Sequence, residues 1–342
     1  MNIYVGMSGG VDSSLAAALL KAAGHQVTGV YMKNWTQDLP GMQCPWADDL
    51  ADAKRVAVQL DLDFKVFDFQ KEYRQAVVDY MIAEYKAGRT PNPDIMCNQE
   101  IKFKLFLQTA LADGADAIAT GHYARTKNGQ LLTAVDAQKD QTYFLYRVIK
   151  DALQKTMFPI GQLQKSEVRQ KAQALGLVTA NKKDSQGICF VGEVGIKDFL
   201  SQYVASEPGD IIHKKTGAVL GRHDGAIFYT IGQRHGLGVG GGLPLYVVGK
   251  DMQKNTVYVT SDLNDDTLWQ QTITLSHLHW IDQSPEIGKE YLVRSRYRAP
   301  LVPAAFTSST ELRLAEPARA VTAGQSVVVY NGQTVLGGGI VT

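Results

Sequence analysis

The nine residues Gly6–Ser14, GMSGGVDSS, decide the fold. Upstream, NIYVG (2–6) is short and apolar and reads as a buried strand. Downstream, Val11, Leu15, Leu19 and Ala22 recur at helical spacing until Gly24. The loop therefore joins a strand to a helix start, where backbone N–H groups converge and the helix dipole favours negative charge. Gly9 and Gly10 let an anion approach without a Cβ in the way. Ser8, Ser13 and Ser14 add hydroxyls. No lysine precedes Ser13, so the γ-phosphate lysine of GxxxxGK[ST] is missing. Asp12 stands inside the loop instead, placed to hold Mg²⁺ or to complement the helix N-terminus. Taken alone, the glycine pair also reads as a plain tight turn.

Outward from this loop, strand-like segments at 26–32, 64–69 and 116–120 alternate with helical patterns. One helix carries Tyr73, Val77, Met81 and Tyr85 on one face, and another is predicted from about Asn98 to Leu111. Such alternation predicts a parallel, doubly wound sheet. After Tyr203 the chain becomes rich in glycine and β-formers, and Asn331-Gly332 between apolar runs signals a hairpin. The expected fold is α/β. It has an N-terminal Rossmann-like parallel sheet (1–197), a small mainly β central domain (198–267) and a C-terminal β-barrel (268–342).

The 342 residues exceed one ordinary core, and 45% hydrophobic with 20% charged residues describes a folded globular chain. No apolar run is long enough for a membrane helix, and no basic-then-apolar leader is read at the start. Three cysteines, Cys44, Cys97 and Cys189, make no disulfide framework, CxxC pair or metal-ligand spacing. A cytoplasmic enzyme with reduced thiols and no structural metal is expected. The net charge of +1 neither demands nor forbids a nucleic-acid partner.

Two of the cysteines sit in unusual settings. GRTPNPDIMCNQEIKF (88–103) puts Cys97 near a predicted helix start, where the dipole favours a thiolate. Asp94, three residues earlier, suits a proton acceptor or donor. A buried structural cysteine is the competing reading, weakened by polar Asp94, Asn98 and Gln99. In DSQGICFVG (184–192), Cys189 reads equally as part of a buried strand or as a thiol on a loop. VRSRYR (293–298) alternates Arg294, Arg296 and Arg298, predicting three cations on one strand face with Tyr297 nearby to stack on a base.

SGGVDS resembles the PP-loop of ATP pyrophosphatases. GMSGGVDSS, GRTPNPDIMCNQEIKF and KDSQGICFVG, in that order, resemble the tRNA-specific 2-thiouridylases of the MnmA type. TGHYAR (120–125), KDQTYFLY (139–146), FPIGQLQKSEVR (158–169) and YTIGQRHGLGVGGG (229–242) extend the likeness over almost the whole chain. The resemblance implies ATP-dependent conversion of uridine to 2-thiouridine at wobble position 34 of tRNAs for Lys, Glu and Gln. ATP with Mg²⁺ adenylates the C2 oxygen, and a persulfide sulfur replaces it. By position, Cys189 matches the persulfide carrier, Cys97 the second catalytic cysteine that forms a transient disulfide with it, and Asp94 the acid/base. ATP is expected at Gly6, Met7, Ser8, Gly9, Gly10, Val11, Asp12, Ser13, Met32 and Gly121, and the target base at Asn92, Pro93 and Asp94. His122, Lys139, Asp140, Gln141, Arg296, Tyr297 and Gln325 match tRNA-contact positions, although His122 also reads as a structural histidine at a strand end. The implied partners are tRNA and a sulfur donor, either a cysteine desulfurase or a relay protein. Two rivals remain on sequence: a PP-loop enzyme making an amide on a small substrate, and an RNA-binding protein with a vestigial ATP site.

Overall fold

The computed structural model describes residues 1–38, 44–183, 195–239 and 242–342. The first half of the chain holds strands β1 (Asn2–Gly6), β2 (Gln26–Lys33), β3 (Asp63–Asp68) and β4 (Ala117–Thr120), the hairpin pair β5 (Arg125–Lys127) and β6 (Gln130–Leu132), and β7 (Thr156–Met157). All but the hairpin pair form one parallel sheet, in the order β3-β2-β1-β4-β7. The order reverses between β1 and β4, and open α/β sheets bind ligands at the carboxyl end of such a point.

Helices cover both faces of this sheet, which is why its central strands are buried throughout. Ile3 and Val5 pack with Ala17 and Leu20 of α1 (Val11–Ala22) and with Ala53 and Val56 of α2 (Trp46–Gln59). Tyr4 and Met32 face the other way, into Tyr73, Met81 and Phe106. Those three lie on helical segments spanning 70–86 and 93–112, both wound as π-helix in their middles, at Arg74–Asp79 and Cys97–Leu105. Tyr73, Val77, Met81 and Tyr85 are buried together, as their spacing predicts.

The central region forms a sheet from β8 (Gly209–His213), β9 (Val219–His223), β10 (Tyr246–Asp251) and β11 (Thr256–Thr260), ordered β10-β11-β8-β9. The last region holds β12 (Trp269–Trp280), β13 (Glu290–Arg294), β14 (Val302–Phe306), β15 (Glu311–Arg319), β16 (Ser326–Asn331) and β17 (Thr334–Val341). These run β12-β15-β14-β13-β16-β17, and β12 also pairs with β17, closing a six-stranded barrel without free edges. Its interior is filled by Ile273, Val293, Phe306, Leu312, Val327 and Val329. The predicted hairpin is present: Asn331 pairs with Thr334, and Gly332 takes the left-handed φ of 57°. The sequence pattern did not anticipate that β6 pairs with β17, so the β5–β6 hairpin of the first half extends the barrel wall. No helix among the described residues is long and apolar enough to cross a membrane.

Candidate active site

The phosphate loop lies where the sequence predicts, between β1 and α1 at the switch point. Gly10 is the N-cap of α1, and no side-chain cap takes up the first helical N–H groups, which is the arrangement an anion site uses. The loop is braced from within. The Ser8 N–H donates to Ser13 Oγ (3.2 Å), and the hydroxyls of Ser13 and Ser14 donate to the Gly10 carbonyl (3.1 and 2.8 Å). Gly9 has φ 72°, and a Cβ there would sit 2.3 Å from the Asp49 carbonyl oxygen of α2. Met32, the penultimate residue of β2, lies beside Gly6. Asp12 accepts from the Tyr123 hydroxyl (2.8 Å) and from the Lys165 ammonium at both oxygens (2.8 and 2.9 Å). It therefore meets an ammonium group in the position where the sequence suggests a Mg²⁺ ligand. Lys165 was not singled out in the sequence; Glu167, which caps its helix as the N3 partner of Gln164, was the available signal.

The turn after β4 joins this loop to the thiol helix. Gly121 lies against Ser13 and Asp12. His122 packs at a tilt against Phe103 (5.6 Å) and edge-on against Phe158 (6.2 Å), and its Nδ1 shares a 2.8 Å hydrogen bond with the Thr120 hydroxyl. It has the setting of the structural histidine weighed above. Burial pulls its pKa well below 6.5, assisted by the charge of Lys102. Below pH 6.5 the unfolded chain takes up a proton that the folded chain resists, so stability is present at neutral pH and is lost on acidification. The expected slope is up to about 1.4 kcal/mol per pH unit. Thermal melts between pH 7.5 and 5.5 should therefore fall less steeply for His122→Gln than for the parent. Equal slopes would exclude His122 as their source.

The helix carrying Cys97 begins earlier than expected. Pro93 is its first residue, and the Asn92 side chain caps it by accepting from the N–H groups of Asp94 (3.1 Å) and Ile95 (3.3 Å). Cys97 therefore lies past the first turn and not at the N-terminus, which corrects the predicted start near Asn98 and weakens the dipole argument for its thiolate. It is 0% exposed. Next to it, the buried Asn98 donates to the Phe144 carbonyl (3.2 Å). Asp94 sits one turn before Cys97, half-buried. Cys189 and the rest of DSQGICFVG lie outside the described residues. The chain leading there is anchored. Lys182 donates to Asp49 (2.8 Å) and Asp52 (2.6 Å) of α2, and Arg169 donates to the carbonyls of Ala180 and Lys182 (both 3.1 Å).

The predicted arginine face does not form. Strand β13 ends at Arg294, so the alternation that would align the three side chains stops there. Arg294 pairs with buried Asp140 (3.5 Å). Arg296 donates to the carbonyls of Ile231 (3.2 Å) and Ala320 (2.5 Å) and to the Thr322 hydroxyl (3.0 Å). Arg298, at φ 62°, stacks over Tyr297. Asp140 also accepts from the Ala134 N–H and the Thr142 hydroxyl, and burial raises its pKa despite these partners. Gln141 exchanges hydrogen bonds with the Tyr123 backbone, its side-chain oxygen accepting at 2.8 Å. Gln325 donates to the Thr90 carbonyl (2.7 Å), while the Thr90 N–H donates to Ala323 (2.9 Å). The PNPD loop is thus fastened to the barrel. Lys139 is half-buried just before Asp140. Tyr297 packs on Phe144 (4.4 Å).

An anion loop at the switch point of a parallel sheet, followed by two β domains, defines an ATP-binding α/β protein of the PP-loop type. Residues 1–193 match the family described as tRNA methyl transferase HUP domain, 197–261 the tRNA methyl transferase PRC-barrel domain, and 270–341 the aminomethyltransferase beta-barrel domain. The tRNA-specific 2-thiouridylase MnmA of Geobacillus thermodenitrificans is 48% identical over 349 residues, covering 99% of this chain and 94% of that one. Those of Bacillus subtilis and Methylobacillus flagellatus are each 47% identical over 99% of this chain, covering 94% and 98% of their own lengths. The domain descriptions and the relatives' names disagree on the group transferred. The relatives weigh more, because each is matched almost end to end at nearly half identity. The chain belongs to the MnmA family of tRNA-specific 2-thiouridylases.

Proposed function

We propose that this protein uses ATP to activate the C2 oxygen of uridine 34 in tRNAs for Lys, Glu and Gln, and replaces that oxygen with sulfur. The observation that carries the reading is the uncapped helix start of α1 at the switch point, joined through Gly121 and His122 to the helix of Cys97. ATP lies along Gly6–Ser13, with Met32 and Gly121 beside it. Among the described residues, no group of three or more His, Cys, Asp or Glu side chains is placed to hold a metal. Asp12 is paired with Lys165. The Mg²⁺ that accompanies ATP would be held by the phosphates themselves.

The target base, taken out of its stack, rests against Asn92, Pro93 and Asp94. Its O2 bonds to the α-phosphorus, pyrophosphate departs, and Asp94 accepts the N3 proton. AMP is now a good leaving group at C2. A persulfide on Cys189, loaded by a cysteine desulfurase or a relay protein, supplies the sulfur. The Cys97 thiolate attacks the Cys189 sulfur, forming a Cys97–Cys189 disulfide. The outer sulfur leaves with two electrons, as hydrosulfide or already bonded to C2, and a dithiol reductant restores both thiols. On this reading residues 1–197 carry the chemistry, while 198–267 and 268–342 hold the RNA. Lys139 and Tyr297 face it, with His122, Asp140, Gln141, Arg296 and Gln325 shaping the surface from behind. Thiols that must be reset after each turnover need a reducing compartment, which on this reading is the cytoplasm.

The test uses unmodified tRNA transcript, ATP–Mg²⁺ and a persulfide source. Nucleoside mass analysis should show 2-thiouridine, with AMP release that depends on tRNA. AMP formed equally well without tRNA would favour a small-substrate PP-loop enzyme. RNA binding without any ATP cleavage would favour the vestigial-site reading.

A further inference from the structure

The loop has serines and backbone N–H groups, but no cation of its own. Helix N-termini contribute only about half a charge, whereas departing pyrophosphate carries several. The fold brings an ammonium to the loop from far along the chain. The Lys165 ammonium lies 2.8 and 2.9 Å from the Asp12 carboxylate oxygens, 5.7 Å from the centre of the Tyr123 ring, with its side chain 13% exposed. Its backbone is fixed on two sides. Lys165 opens the helix Lys165–Ala174, whose capping box joins Gln164 to Glu167, and the Lys165 N–H donates to Asp136 (2.9 Å). So much anchoring for one long, flexible side chain is more than a surface ion pair requires.

We propose that Lys165 is the cation that receives the pyrophosphate. As the uracil O2 bonds to the α-phosphorus, the bond from that phosphorus to the bridging oxygen breaks and the electron pair stays on the departing oxygen. The ammonium neutralises this growing charge without giving up its proton. Asp12 is a positioning residue that keeps Lys165 stretched over the loop before ATP arrives, and Tyr123 holds Asp12. The assignment rests on the adenylation reading above, but its test does not need the thiolation step.

That test is a double-mutant cycle on the full chain: Lys165→Met, Asp12→Asn and the pair together. Titration calorimetry follows Mg²⁺-pyrophosphate and, separately, adenosine. Losing a charge-assisted contact should weaken pyrophosphate binding about tenfold or more in the parent, and less in the Asp12→Asn background, where the ammonium is no longer held over the loop. Adenosine affinity should hold. The double variant leaves no lone carboxylate, so it secures the comparison if Lys165→Met alone folds poorly. Pyrophosphate affinity unchanged in Lys165→Met would overturn the proposal, as would equal losses for adenosine, since the first means that the ammonium does not meet the anion and the second that the pair only shapes the loop. A parent protein that binds pyrophosphate yet makes no 2-thiouridine would sink the thiolation reading and leave Lys165 standing.

Discussion

Replacing Cys97 with serine is expected to stop 2-thiouridine formation, by at least a factor of about a thousand, while ATP cleavage survives. Adenylation precedes any role for a thiol, so a burst of pyrophosphate should still appear when tRNA is added. Cys189→Ser should give the same pattern, because a disulfide step fails with either sulfur missing. Structural damage is a poor explanation for such a loss. Exchanging a fully buried thiol for a hydroxyl costs about 1–3 kcal/mol, which a melting curve reports separately. Cys44→Ala is the control. Cys44 is 4% exposed, its Sγ lies 3.8 Å from the Trp35 carbonyl, and burial pushes its thiol pKa up, all marks of a packing cysteine. Thiolation that persisted in Cys97→Ser at the parent rate would reduce Cys97 to the same packing role, which its burial permits.

What the sequence revealed depends on the range of the interactions concerned. The parallel sheet was legible because β1, the glycine loop and α1 are contiguous, and because apolar periodicity is local. The start of the Cys97 helix was misplaced, since Pro91 and Pro93 suggest a stiff loop until Asn92 is seen capping a helix with proline at its first position. Nothing in the residue pattern signalled the π-helical winding that begins at Cys97. The arginine face failed for a different reason. Alternation in VRSRYR is real, but the strand ends at Arg294, and Arg296 finds acceptors on two other segments. Partners distant in sequence, such as Lys165 with Asp12 or Gln325 with Thr90, leave no periodic trace.

Gly121→Ala should disable ATP use at small cost in stability. An ideal Cβ at Gly121 would sit 2.6 Å from the Ser13 nitrogen, 2.7 Å from the Asp12 carbonyl carbon and 2.9 Å from the Ser13 Cα. All three are backbone atoms at the start of α1, so no side chain can swing aside. Either the turn after β4 or the phosphate loop must move. A shift of about 1 Å in groups that position a reacting phosphate costs roughly a hundredfold in rate, whereas overpacking costs about 1–3 kcal/mol of stability. ATP affinity and the pyrophosphate burst should fall together, while tRNA binding holds. Gly114→Ala separates crowding from loss of glycine freedom. Gly114 has φ 97° with nothing within 4 Å of its would-be Cβ, so alanine there strains the backbone without touching the loop. Its expected signature is a lower melting temperature with ATP cleavage intact. If Gly121→Ala cleaved ATP at the parent rate, the contact between β4 and α1 would be ordinary packing, and the nucleotide would have to bind elsewhere than the switch point.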